Sequence, residues 1–141
     1  MPYITYAQPN GQVAIIIPAD PSLSIEQIAA KDVPANTPYK IVDSLPSDFD
    51  NDYFNAYEFD PQLGAQVNID KAKAIQLNKW RSARAPKLAA LDIAYFRAEE
   101  AGDSANKSSV SGQKQALRDV TKTALPDTLP EIKAVWPDIL N

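Results

Sequence analysis

Short apolar runs separated by turn residues make up the first half of the chain, a pattern typical of β-strands. Two of these runs, YITYA (Tyr3 to Ala7) and VAIIIP (Val13 to Pro18), flank Pro9-Asn10-Gly11. An Asn-Gly pair between β-branched and aromatic runs predicts a hairpin, because both residues accept positive φ. Three further strands are predicted at YKIVD (Tyr39 to Asp43), FNAYEF (Phe54 to Phe59) and AQVNI (Ala65 to Ile69).

A short helix is predicted between the second and third strands. Ser24 is followed three residues later by Gln27, the spacing of a capping box, in which each side chain bonds the other residue's backbone N–H. Ile25, Ile28 and Ala29 then form a short apolar face. The prolines that follow exclude a continuation of the helix.

From residue 70 onward the apolar residues follow a helical repeat instead. One helix face collects positions spaced by three or four residues, namely Leu77, Trp80, Arg84, Leu88, Leu91 and Tyr95. Asp70 is the predicted N-cap. Pro86 removes a backbone donor and clashes with the preceding turn, so we expect a kink or a break near Ala83 to Ala85. Ala101-Gly102-Asp103 is predicted to form the C-cap and turn.

A second helix is predicted from Ser104 to Thr121. Its inward positions are Val110, Leu117 and Val120. Two helices joined by a short loop pack as an antiparallel hairpin. The sequence therefore predicts an α+β fold, with a small antiparallel β-rich head at residues 1–69 and a helical hairpin with a proline-rich closing tail at residues 70–141.

The tail is broken by three prolines and yet carries a large aromatic residue, Trp136. Thr128, three residues before Glu131, predicts a capped single turn that carries Trp136. Burial of a large side chain is worth roughly 1.5–3 kcal/mol, enough to fix a tail of this length. We therefore expect Trp136 to close the open end of the helical hairpin. The alternative is an exposed anchor that docks on a partner.

Composition removes the commonest catalytic groups. The chain has no cysteine and no histidine, which excludes disulfides, thiolate metal sites and histidine-based catalysis. We therefore expect no enzyme and no cofactor. The N-terminus has no signal-peptide pattern, and no apolar run approaches the roughly 18 residues that span a membrane.

The charge is divided unevenly between the two halves. Residues 1–70 carry ten acidic and two basic residues, a net charge of −8, whereas residues 71–141 carry twelve basic and eight acidic residues, a net charge of +4. The basic residues on or near the long helix are Arg81, Arg84, Lys87 and Arg97. They are diluted by carboxylates, so we expect no nucleic-acid partner. Arg84 lies on the apolar face and is expected to pair with Asp92 or Asp119, or to extend past its neighbours.

The segment SDFDNDYFNAYEFD contains two further candidate sites. Asp48, Asp50 and Asp52 have the opening spacing of a calcium loop, but the sixth and twelfth positions are Tyr53 and Phe59 rather than Gly and Glu. A solvated acidic loop is the favoured interpretation, and a surface cation site the alternative. The candidate residues for protein interaction are Tyr53, Phe54, Tyr57, Trp80 and Trp136, although the predicted strand buries at least one aromatic face.

Three motifs in the second half are similar to those of a phage family. They are W-R-x-x-R-x-x-x-L-x-x-x-D (Trp80 to Asp92), K-Q-A-L-R-D (Lys114 to Asp119) and L-P-E-I-K-A-V-W-P (Leu129 to Pro137). In this order they resemble the C-terminal module of tailed-bacteriophage tail assembly chaperones and tail-fibre assembly proteins, over residues 70–141. The first half looks like the small β-rich heads that precede this module in phage tail proteins.

The resemblance implies a non-enzymatic, chaperone-like protein that binds a tail or tail-fibre polypeptide in the host cytoplasm during assembly. The family has no catalytic residues to transfer. Asp92 is followed by Ile93-Ala94-Tyr95 where many members have an Asp-Trp or Asp-Tyr pair, which leaves open a permanent virion subunit of the tail, baseplate or fibre attachment. A second alternative is a small carbohydrate- or cation-binding module. A homo-oligomer is also left open, and no membrane partner is expected.

Overall fold

The computed structural model describes all 141 residues and confirms the α+β fold, with antiparallel strands first and long helices after them. The chain divides into two compact units, Met1–Ala72 and Lys73–Asn141. No helix is both long enough and apolar enough to cross a membrane.

A three-stranded antiparallel sheet forms the centre of the first unit. Strand β1 (Tyr3–Ala7) lies between β2 (Val13–Ile16) and β3 (Tyr39–Val42). The predicted hairpin between β1 and β2 is confirmed, and its turn depends on Gly11, whose φ of +84° lies in the left-handed region. The sheet therefore follows directly from the local sequence pattern.

Helix α1 (Ile25–Asp32) covers one face of this sheet. The predicted capping box is present, because Gln27 N donates to Ser24 Oγ at 3.2 Å and Ser24 N donates to Gln27 Oε1 at 2.8 Å. Ile28 and Ala29 of the helix pack on Ile4 of β1, and all three are buried. One core of the first unit thus lies between α1 and the sheet.

A second, two-stranded sheet lies against the other face. It consists of β4 (Tyr57–Asp60) and β5 (Gly64–Val67), and Gly64 lies close to the side chains of Thr5 and Val42. The strand predicted over Phe54 to Phe59 is wrong in its first half, because Asn51–Ala56 forms a 3₁₀ helix. The side chain of Asp50 caps that turn and competes with strand pairing there.

Helix α2 (Ile69–Ala101) runs for 33 residues without the break expected at Pro86. Ser82, whose carbonyl loses its helical donor to the proline, is exposed and can be hydrated. Leu77 and Leu88, on either side of the proline, pack on the same core, which favours a helix that continues through Pro86. The helix also begins earlier than predicted, since Lys71 N donates to Asn68 Oδ1 at 3.1 Å and Asn68 rather than Asp70 supplies the cap.

Helix α3 (Ser104–Asp119) returns antiparallel to α2 and forms the predicted hairpin. Gly102 has a φ of +65° in the intervening turn, and Asp103 caps α3 through Asn106 N at 3.0 Å. Arg84 pairs with neither of the expected aspartates. Its Nη1 donates to the backbone carbonyls of Leu117 and Arg118 at 3.2 and 2.9 Å, where the end of α3 leaves carbonyls without helical donors.

The core of the second unit lies in this hairpin. Trp80, Leu117, Val120 and Leu140 are its buried residues. The tail contributes a further short helix, α4 (Leu129–Ala134), in which Leu129 and Ile132 are buried. Thr128 makes no side-chain capping hydrogen bond, so the capping prediction there is wrong. Pro130 in the first turn, which requires no N–H donor, suits the helix start without it.

Candidate interaction surfaces

The acidic loop does not gather its carboxylates around one point. The carboxylate of Asp50 accepts a hydrogen bond from the backbone N–H of Asp52 at 2.9 Å. Asp48 contributes its backbone carbonyl, which accepts from the hydroxyl of Tyr57 at 3.0 Å. No cluster of three or more acidic residues in the chain is arranged to hold a metal ion. The structure therefore does not gather Asp48, Asp50 and Asp52 into a cation-binding cluster, and the loop instead caps a turn and accepts the hydrogen bond of Tyr57.

The aromatic residues beside this loop pack mainly on one another. The ring centroid of Phe49 lies 6.3 Å from that of Phe54 in an edge-on arrangement and 4.9 Å from that of Tyr57. Tyr53 and Tyr57 are buried, and Phe54 is half-buried. Of these three interaction candidates, the two tyrosines offer no surface to a partner, because they form part of the core of the first unit.

Burial also changes the acidity of Tyr57. Removal from water, together with the negative charge of Asp48, raises the pKa of Tyr57 to about 12. The hydroxyl therefore stays protonated at neutral pH and donates its hydrogen bond to the loop. Its role is to fix the loop to the start of β4.

Trp80 is likewise a core residue. It is fully buried between α2 and α3, and its indole Nε1 donates to no protein acceptor. Its inclusion among the interaction candidates is corrected by this burial. The helical repeat that placed it on the inward face with Leu77 and Leu88 was the better guide to its position.

The tail is held to the hairpin without Trp136. Gln76 Nε2 donates to the backbone carbonyl of Val135 at 2.9 Å, and Lys87 Nζ donates to the backbone carbonyl of Asn141 at 2.7 Å. Lys73 pairs with Asp127 at 2.7 Å, and this hydrogen bond lowers the pKa of the Asp127 carboxyl. The tail is thus attached at its start, middle and end.

Trp136 is 40% exposed, so the expectation that it closes the hairpin is wrong. Leu140, at 5% exposed, takes that place instead and packs beside Trp80. The hydrogen bond to Val135 and the burial of Leu140 fix the backbone on both sides of Trp136. A Trp held in this way is an exposed aromatic side chain on an ordered backbone, as the alternative of a partner-docking anchor requires.

Trp136 borders an open surface hollow on α2. The residues that line it with Trp136 are Ile75, Asn78, Lys79 and Ser82. A second hollow, of about 330 Å³, lies between α2 and α3, and Ile139 stands at its edge with 40% of its surface exposed. The sequence did not single out Ile139, since a residue two positions from Pro137 in a broken tail has no periodicity to reveal its orientation.

The comparisons with known proteins add no relative. No protein-family model, no curated protein and no solved structure matches this chain.

Proposed function

We propose that this chain is a non-enzymatic assembly protein of a tailed bacteriophage, which binds a tail or tail-fibre polypeptide in the host cytoplasm. The observation that carries the proposal is the exposed Trp136 on a backbone fixed by Gln76 and Leu140. Aromatic residues dominate the binding energy of protein interfaces, and an anchor already held in place loses little entropy on binding. Trp136 also belongs to the L-P-E-I-K-A-V-W-P motif on which the phage resemblance depends.

The proposed partner surface consists of Trp136 and the hollow on α2 beside it. Ile139, at the edge of the separate hollow between α2 and α3, offers a second apolar contact. Together these residues offer separated apolar contacts rather than an enclosed cavity. Such a surface suits an extended polypeptide or an apolar patch of an unassembled subunit. By covering that patch, the chain would prevent premature association of the subunit.

The uneven charge distribution along the chain should orient a partner as the two proteins associate. The −8 charge of residues 1–70 and the +4 charge of residues 71–141 would steer a partner with a complementary distribution. Affinity should therefore fall as salt rises. A partner affinity that is the same at low and high ionic strength would count against this electrostatic contribution.

The test is co-expression with each tail and tail-fibre polypeptide encoded beside this chain, followed by affinity capture. Trp136→Ala should weaken capture of the partner by about thirtyfold or more, the effect of losing an aromatic hot spot. Leu63→Ala is the matched control, because Leu63 is another exposed large apolar residue but lies in the first unit. Capture that is equal for both variants would overturn the Trp136 surface.

A permanent virion subunit is the competing phage role. Mass spectrometry of purified virions separates the two, because a chaperone leaves before the particle is complete. Recovery of the chain in stoichiometric amounts from virions would replace the chaperone role with the structural one.

A further inference from the structure

Helix α2 has a second apolar face that no other part of the chain covers. Five residues form this face and will be called the outer stripe: Ala85, followed by Pro86, Ala89, Ile93 and Phe96, which recur every three or four positions. All of them are exposed, and the two large ones are exposed to 54% (Ile93) and 67% (Phe96). Spacing of this kind places side chains on one side of a helix, so the outer stripe is continuous.

The outer stripe is ordered by size. Its small residues lie toward the N-terminal end of α2, and its large residues lie toward the C-terminal end. A helix with this gradient is complementary to a second copy of itself placed antiparallel. In that arrangement Phe96 of one copy lies over Ala85 and Pro86 of the other, and Ile93 lies over Ala89.

The charges beside the outer stripe fit the same arrangement. Arg81 stands before its small end, and Glu99 and Glu100 stand beyond its large end, all three exposed. The antiparallel register that seats Phe96 over Ala85 also brings Arg81 of one copy opposite Glu100 of the other, whereas Glu99 already pairs with Lys107 of its own chain. The interface is isologous, since both copies use the same patch, and it closes as a dimer.

We propose that the chain forms an antiparallel homodimer through the outer stripe of α2. The helices overlap from Ser82 to Glu100, roughly 27 Å at 1.5 Å per residue. A single pair of helices of this length lies at the small end of specific interfaces, so the dissociation constant should be on the order of micromolar. This proposal goes beyond the assembly role and does not depend on it.

Sedimentation velocity of the full chain over a range of concentrations tests the dimer. Phe96→Glu should weaken dimerisation by about tenfold or more, because it removes the largest contact and adds a carboxylate to an apolar interface. Leu63→Glu is the matched control, since Leu63 is 62% exposed and lies in the first unit. Both residues are on the surface, so both variants should keep the circular dichroism of the parent.

Charge reversal provides a second test of the same register. Arg81→Glu should weaken the dimer, and the double variant Arg81→Glu with Glu100→Arg should restore it, because the opposed charges are exchanged together. A dimer that is indifferent to both changes would argue against this contact.

The orientation is read by cross-linking, which is simple because the chain has no cysteine of its own. A mixture of Ser82→Cys and Glu100→Cys chains with a short bifunctional maleimide should give mixed dimers. A parallel arrangement would instead cross-link each variant to itself. A monomer at every concentration, a dimer unaffected by Phe96→Glu, or like-with-like cross-links would each overturn the proposal. Capture of the tail polypeptide by Trp136 is measured separately on the Phe96→Glu variant, because Ser82 at the end of the helix overlap also lines the hollow beside Trp136.

Discussion

The side-chain amide of Gln76 donates a hydrogen bond to the backbone carbonyl of Val135, over 2.9 Å and across 59 residues of sequence. Gln76 is almost fully buried, so water does not replace either partner readily. A buried polar group that loses its partner costs more than the hydrogen bond itself contributes. This pair therefore fixes where the tail crosses α2, and with it the position of Trp136.

Replacement of Gln76 by leucine should destabilise the protein by about 1–3 kcal/mol, because the carbonyl of Val135 is left unpaired in an apolar setting. Gln115→Leu is the control, since it makes the same replacement at an exposed position of α3. Urea unfolding of both variants measures the difference. Equal midpoints for the two would show that the hydrogen bond does not hold the tail.

Two neighbouring apolar residues in the last turn of the chain allow the packing of the tail to be tested. Leu140 is 5% exposed beside Trp80, whereas its neighbour Ile139 is 40% exposed. Leu140→Ala should cost about 2 kcal/mol or more, as truncation of a buried leucine does, and Ile139→Ala should stay within about 0.5 kcal/mol of the parent. Thermal melting of the two variants measures the difference in stability. If both variants melt alike, the tail is not part of the core.

The regular elements were readable from local pattern alone. The Asn10-Gly11 hairpin, the Ser24 capping box and the turn at Gly102 depend on interactions within a few residues, and the sequence predicted all three. Of the kink or break predicted at Pro86, the break does not occur, because packing on both sides outweighs the loss of one backbone hydrogen bond. The strand expected from Phe54 was shortened by a local cap from Asp50.

The candidate site was harder to predict for a different reason. Whether Trp136 or Leu140 fills the space beside Trp80 is decided by how a proline-containing tail folds back over α2, and no periodicity in the tail records this. The exposure of Ile93 and Phe96 could have been predicted, because neither residue lies on the inward helix face that contains Leu88 and Leu91. The sequence feature that indicates it is a second apolar stripe on a helix whose first apolar stripe already packs in the core.

Substitutions at two glycines distinguish the cost of backbone strain from the cost of a steric clash. Gly11 and Gly64 both have φ near +85°, at +84° and +87°. A methyl group at Gly11 would meet no atom within 4 Å, but at Gly64 it would lie 2.7 Å from Val42 Cγ1 and 2.9 Å from Thr5 Oγ1. Gly11→Ala should therefore cost about 1–2 kcal/mol from the left-handed conformation alone.

Gly64→Ala should cost the same strain plus the displacement of the sheet, about 2–5 kcal/mol in total. Denaturant unfolding of the two variants measures the difference. A Gly64 variant no less stable than the Gly11 variant would show that β5 does not pack tightly on β1 and β3.

Tyr57 should make the first unit less stable as the pH rises into the alkaline range. Burial, with the charge of Asp48, raises the pKa of Tyr57 from 10.0 to about 12 in the folded chain. The unfolded chain gives up the tyrosine proton near pH 10, whereas the folded chain keeps it until about pH 12. Ionisation in this window therefore favours the unfolded state.

The stability that Tyr57 contributes should be fully present below pH 10 and lost as the pH rises to about 12. The loss should amount to about 1–3 kcal/mol, since each pKa unit corresponds to about 1.4 kcal/mol. Unfolding in urea at several pH values in this window measures it. Tyr57→Phe keeps the ring in place and removes the ionisable group, so its stability should fall less steeply with pH. If parent and variant lose stability in parallel, the buried hydroxyl of Tyr57 does not cause the alkaline unfolding.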